Sequence, residues 1–234
     1  MSNLVRISIG YFLLAPFVLA GCGGGDDGPV IDRGKPFDVS GGATNPPKGS
    51  TEVAPGESQA VAYPEGPYGT DSGAIAPNLT FLGWKNPTAA NYDSNSFEHV
   101  SFADFYDPDG SKGIKLLLIN ASAVWCGPCN AEAAEIRNTG KYAEYSGKGV
   151  QFMWSLFEDA NHDPSKPQDA VNWTRRYQVD YAMVLDPTLK FGAFFPNDAT
   201  PLNVVIDTRT MRILEVATGA LLGDPAWTFV NRHL

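Results

Sequence analysis

Cys126 and Cys129 stand two residues apart in Trp125-Cys126-Gly127-Pro128-Cys129. A thiol pair at this spacing can serve as a redox dithiol, a structural disulfide or half of a metal site. The flanking sequence bears on the choice. Ile114 to Ser122 is an apolar run, preceded by the turn-rich Asp107-Pro108-Asp109-Gly110, and suits a strand buried on both faces. Asn130 to Tyr145 is rich in Ala and Glu and predicts a helix. The cysteines therefore fall at a strand-to-helix junction. There the unpaired N–H groups and dipole of a helix start stabilise a thiolate on Cys126 and lower its pKa, so that it becomes a nucleophile. Cys129, one turn into the helix, can attack the mixed disulfide that Cys126 makes. Gly127 leaves room for an incoming chain, and Pro128 preorganises the first turn.

Other elements must hold this junction in place. Gly147 and Gly149 stop the helix, and Gly140 within it predicts a kink or a weak point. Val150 to Phe157 reads as a second buried strand, and Tyr181 to Leu185 as a third. Between them Pro167 suits a first helical turn, and Ala170, Trp173 and Tyr177 share one helical face. Leu202 to Asp207 and Arg212 to Val216 flank Thr208-Arg209-Thr210 as an antiparallel hairpin, and Pro225 to Leu234 predicts a closing helix. The succession implies an α/β domain with one mixed sheet covered on both faces.

Composition narrows the function. Of 234 residues, 17 are Lys or Arg and 26 are Asp or Glu, giving a formal charge of −9. That balance repels nucleic acid, and no basic stripe offsets it. The single stretch apolar enough to consider as a membrane span, Ile7 to Ala20, follows Arg6 and contains Pro16, so a membrane channel is excluded and a secretory signal peptide is expected. Its ending, Leu19-Ala20-Gly21-Cys22, resembles the lipobox of bacterial lipoproteins. That resemblance implies cleavage after residue 21 and a lipid on Cys22 that anchors the protein to a bacterial membrane. From Gly23 to Gly73, 19 of 51 residues are Gly or Pro, a composition too poor in large apolar groups to fold alone. The expected organisation is a signal peptide (1–21), a lipidated Cys22 with a flexible tether (22–73), and a folded domain (74–234).

At the cysteine motif and around it the sequence resembles the thioredoxin superfamily, and within it the membrane-tethered periplasmic branch of TlpA and ResA type. The resemblance runs from about Ala76 to Leu234. Ile75-Ala76-Pro77-Asn78-Leu79 is similar to that branch's lead-in, and Val100-Ser101-Phe102-Ala103-Asp104-Phe105 to its next segment. Glu132, three residues past Cys129, matches an acidic residue the branch places near its thiols. Thr200-Pro201 resembles the family's cis-proline facing the cysteines. The resemblance implies a thioredoxin-like fold with an N-terminal extension and thiol–disulfide oxidoreductase activity in the periplasm. Cys126 and Cys129 would form the redox disulfide, Glu132 would move a proton off Cys129, and Trp125, Gly127, Pro128, Thr200 and Pro201 would contact substrate. It implies no cofactor or metal, a membrane or periplasmic thiol protein as electron donor, and an oxidised protein such as apocytochrome c as acceptor. Two departures are visible. Ala134 stands where the family often has a helix-kinking Pro, and Asn120 where thioredoxin has a buried aspartate.

Other constellations are weaker. Asp159-Ala160-Asn161-His162-Asp163 begins like a calcium loop, but Pro164 and Ala170 break the pattern, so an acidic loop is expected. His99, His162 and His233 form no metal spacing and read as surface or packing residues. Ala123 occupies the place where a peroxiredoxin needs Thr or Ser, which leaves peroxidase activity as an alternative of less weight. A binding module whose disulfide only staples the helix is the non-enzymatic alternative. A copper-delivery relative would carry CxxxC, not CxxC.

Overall fold

The computed structural model describes residues 62–234. The expected signal peptide, Cys22 and most of the tether lie outside the described residues. Seven strands form one sheet: β1 (Thr80–Trp84), β2 (Glu98–Ser101), β3 (Leu116–Ser122), β4 (Val150–Leu156), β5 (Ala182–Leu185), β6 (Leu202–Asp207) and β7 (Arg212–Thr218). Their spatial order is β2-β1-β5-β4-β3-β6-β7. The β3/β4 and β4/β5 pairs are parallel, and every other pairing is antiparallel. All seven residues of β3 are buried, as expected of a central strand whose two faces are both covered.

The helices are α1 (Gly127–Thr139), α2 (Lys141–Ser146), α3 (Pro167–Tyr177), α4 (Gly223–Ala226) and α5 (Thr228–Asn231). The helix expected over 130–145 starts earlier, at Gly127, and is cut in two. Gly140 adopts the left-handed conformation (φ 67°), and its N–H caps Ile136 O. Ala134 introduces no kink, and α1 runs unbroken up to that cap. The single closing helix expected over 225–234 is corrected to two four-residue turns joined at Trp227, which is buried and stacks with Tyr145 and Phe152. A docked aromatic ring, not helix propensity, fixes this C-terminal segment.

Neither β1 nor β2 is evident as a strand from the sequence. Residues ahead of 74, assigned above to the tether, already pack on the domain. Tyr63 donates its hydroxyl to Ala76 O (2.9 Å), and Gly73, Ala74 and Ala76 exchange backbone hydrogen bonds with Met211, just ahead of β7, and with Ile213 in it.

Candidate active site

The β3–α1 junction is built as the sequence suggests. Cys126 is the N-cap of α1, its Sγ accepting from Cys129 N at 3.1 Å, and Pro128 sits in the first turn, where its missing N–H leaves no bond unmade. Cys126 and Cys129 are joined in a disulfide. Cys126 is 1% exposed and Cys129 0%, so only the Cys126 side borders solvent. A Cβ added at Gly127 would meet open space, which keeps the approach to Cys126 clear. Behind the loop Asn130 Nδ2 donates to Val124 O (3.0 Å) and Cys126 O (2.7 Å), and Tyr177 OH fixes the Asn130 amide by donating to its Oδ1.

The antiparallel register of β3 with β6 pairs Ala121 with Leu202 and so brings the Thr200–Pro201 peptide, which is cis, to the end of β3 beside the cysteines. Thr200 O lies 3.8 Å from Cys126 Sγ, and Thr200 Oγ1 lies 3.7 Å from Cys129 Sγ while donating to Ala121 O. Thr200 thus touches both sulfurs.

Glu132 is completely buried. It lies one helical turn beyond Cys129 and so shares its face of α1. Its Oε2 accepts from Asn120 Nδ2 (2.9 Å), and its Oε1 accepts from Leu221 N (2.9 Å) and, at longer range, from Asn203 Nδ2 (3.4 Å). Burial pushes its pKa up to about 7, against the pull of those three donors toward the charged form. A carboxyl poised at neutral pH can both take and return a proton. Asn120, completely buried on β3, is one of the groups that hold it.

Trp125 is 37% exposed beside the disulfide. Its Nε1 donates to Glu158 Oε2 (2.7 Å), and its ring stacks on His162 at 4.5 Å. His162, expected to be a surface or packing residue, therefore packs at the edge of the site. His99 and His233 do not; His233 pairs with Glu215 instead. The stretch from Asp159 is the expected acidic loop, with the Asp159 carboxylate accepting from Asn161 N and Asp163 N. Sequence reasoning missed Asn203, Glu158 and the Leu221 N–H. Only Asn203 carried a signal, as a lone amide within the apolar run of β6.

No family model matches the sequence, and no curated protein matches it significantly. Among solved structures, a Chlorobium tepidum protein assigned as the thiol:disulfide interchange protein DsbE superposes with a TM-score of 0.50 at 18% identity, over 70% of this chain and 94% of its own. The chain has the thioredoxin fold. Superposition on the thioredoxin domain of a Bacteroides vulgatus thiol-disulfide oxidoreductase gives a TM-score of 0.48 at 16% identity, over 69% of this chain and 96% of that one. Superposition on an exposed lipoprotein thioredoxin of Streptococcus pneumoniae gives a TM-score of 0.47 at 16% identity, over 67% of this chain and 99% of that one. Within the thioredoxin fold the disulfide occupies the β3–α1 junction, and the Thr200–Pro201 turn faces it from β6.

Proposed function

We propose that this protein is a thiol–disulfide oxidoreductase that reduces protein disulfides outside the cytoplasm. The observation that carries the reading is the Cys126–Cys129 disulfide at a helix N-terminus, flanked by Thr200–Pro201 and backed by the buried Glu132. In the reduced protein, the Cys126 thiolate attacks one sulfur of a substrate disulfide. That bond breaks, a mixed disulfide forms, and the first substrate thiolate leaves. Cys129 gives its proton to Glu132 and attacks Cys126 Sγ, releasing the second substrate thiolate and closing the Cys126–Cys129 disulfide. Two electrons pass to the substrate, and a thiol protein in the membrane or periplasm restores the dithiol. Thr200 and Pro201 hold the substrate strand beside Cys126, with Trp125, Gly127 and Pro128 shaping the surface around it. The assignment of the Chlorobium protein as a thiol:disulfide interchange protein agrees with this chemistry.

Placement outside the cytoplasm rests on the signal-like N-terminus, and anchoring on Cys22 as the lipidated residue. The acceptor is an oxidised secreted protein, with apocytochrome c as one candidate. The Gly-Pro pair between the cysteines favours a reducing potential of about −270 mV.

Equilibration of the pair with glutathione tests the reading, together with C129S. The expected results are a potential near −270 mV and mixed disulfides trapped on C129S. A potential near about −120 mV would make the protein a disulfide donor. A pair that never equilibrates, with nothing trapped, would leave a binding module with a structural disulfide.

A further inference from the structure

Asn120 and Asn203 are direct cross-strand partners in the β3/β6 ladder, so their side chains emerge side by side on one face of the sheet. Both residues are completely buried, and both reach Glu132 on α1. Every polar atom of the Asn203 side chain is engaged. Its Oδ1 accepts from Asn120 Nδ2 (3.1 Å), and its Nδ2 donates to Gly219 O (2.9 Å) and toward Glu132 Oε1 (3.4 Å). This fixes the amide's orientation. Turned over, it would set its oxygen against the Gly219 carbonyl and the Glu132 carboxylate, and its NH₂ against the Asn120 NH₂.

The Gly219 peptide is held from both sides, because its N–H donates to Pro201 O (2.8 Å) while its C=O accepts from Asn203. Two residues further on, Leu221 N donates to Glu132 Oε1. One amide thereby joins the carboxylate, the loop that follows β7 and the strand that carries Pro201. The titratable groups coupled to Glu132 are Glu135 on its own helix and Tyr181 ahead of β5, and Cys129, held in the disulfide, lies one turn before it on α1. Among the described residues no basic side chain is a partner of Glu132, so amide and backbone donors are what favour its charged form there.

We propose that Asn203 is a positioning residue for disulfide exchange: its amide holds the Glu132 carboxylate against the Gly219–Leu221 loop and so sets the pH range over which Cys129 can be deprotonated. The assignment rests on the oxidoreductase reading and deepens it. Asn203 acts through Glu132 and touches neither sulfur nor substrate.

The test uses the full-length chain. The Glu132 carboxyl is titrated by ¹³C NMR, its signal identified by its loss in E132Q, and the rate of oxidised-glutathione reduction is measured from pH 5 to 9. In N203L, which keeps the volume and removes the amide, the carboxyl midpoint rises by about one pH unit as the charged form loses a donor. The rate at pH 7 then falls about 5-fold, and the two proteins converge near pH 9. N203T retains a hydroxyl donor and gives a smaller shift, and it serves as the readout if N203L does not fold. An unmoved midpoint in both variants, with any rate loss equal at all pH values, would make Asn203 a structural brace and overturn the assignment. Wild-type protein that reduces no glutathione disulfide at any pH would overturn the oxidoreductase reading itself. The two failures are thus separable.

Discussion

Glu132 faces opposing demands, with burial favouring its neutral form and three donors its charged form. An ordinary carboxyl titrates near 4.5, whereas this one is pushed up to about 7 in the folded chain. Between those values the native state holds a proton that the unfolded chain has released, so stability falls as pH rises through that window. The oxidised protein should therefore lose about 3 kcal/mol between pH 4.5 and 7 on account of Glu132. E132Q should flatten that slope in denaturant titrations run at each pH. Asp186, pushed up to about 6 by burial while accepting from Lys190 N and Phe191 N, acts with the same sign and should leave a shallower slope in E132Q that ends near pH 6. In exchange, E132Q should slow release of the mixed disulfide by about 10²-fold at pH 7, read as accumulation of the Cys126-linked intermediate by mass spectrometry. A slope unchanged in E132Q would remove Glu132 from the proton balance.

At the scale of elements, β3, β4, β6 and α3 fall where the apolar runs and the helical face place them. Each is read from its own residues, as is the cysteine junction. The elements that escaped depend on partners distant in sequence. β1 contains Gly83, which weakens a strand reading, yet an added Cβ there would lie 2.2 Å from Met183 O. The glycine exists because β5 passes close, a fact no local pattern contains. G83A should cost about 2 kcal/mol and lower Tm by roughly 4–8 °C in calorimetry. The candidate site divides the same way. Cys126, Cys129 and Thr200–Pro201 were legible from motif and resemblance, and the burial of Glu132 follows from the amides opposite it. Glu158 and His162 were illegible because they reach Trp125 through a loop whose course only the folded chain defines.

At the scale of the whole molecule, the sheet has two lateral strands, β2 and β7. The outer side of β7 is occupied at its start by the chain's own residues 73–76, with Ile75 pairing antiparallel to Arg212. A truncation beginning at Pro77 should therefore expose unpaired backbone groups and self-associate, whereas one beginning at residue 62 should stay monomeric in light scattering. Equal behaviour of the two fragments would deny the segment this covering role. β7 also runs from that contact, past an irregularity in its pairing with β6 between Ile213 and Glu215, to Gly219, whose carbonyl Asn203 grips. A pull on the residues ahead of 62 would reach the Tyr63 hydroxyl and the Gly69 N–H bond to Ile75 O first, and only then the hydrogen bonds at Gly73, Ala74 and Ala76. In a chain held by its N-terminus, such a segment would work as a cable clamp, taking up load at the sheet margin before it could travel along β7 toward the carboxylate.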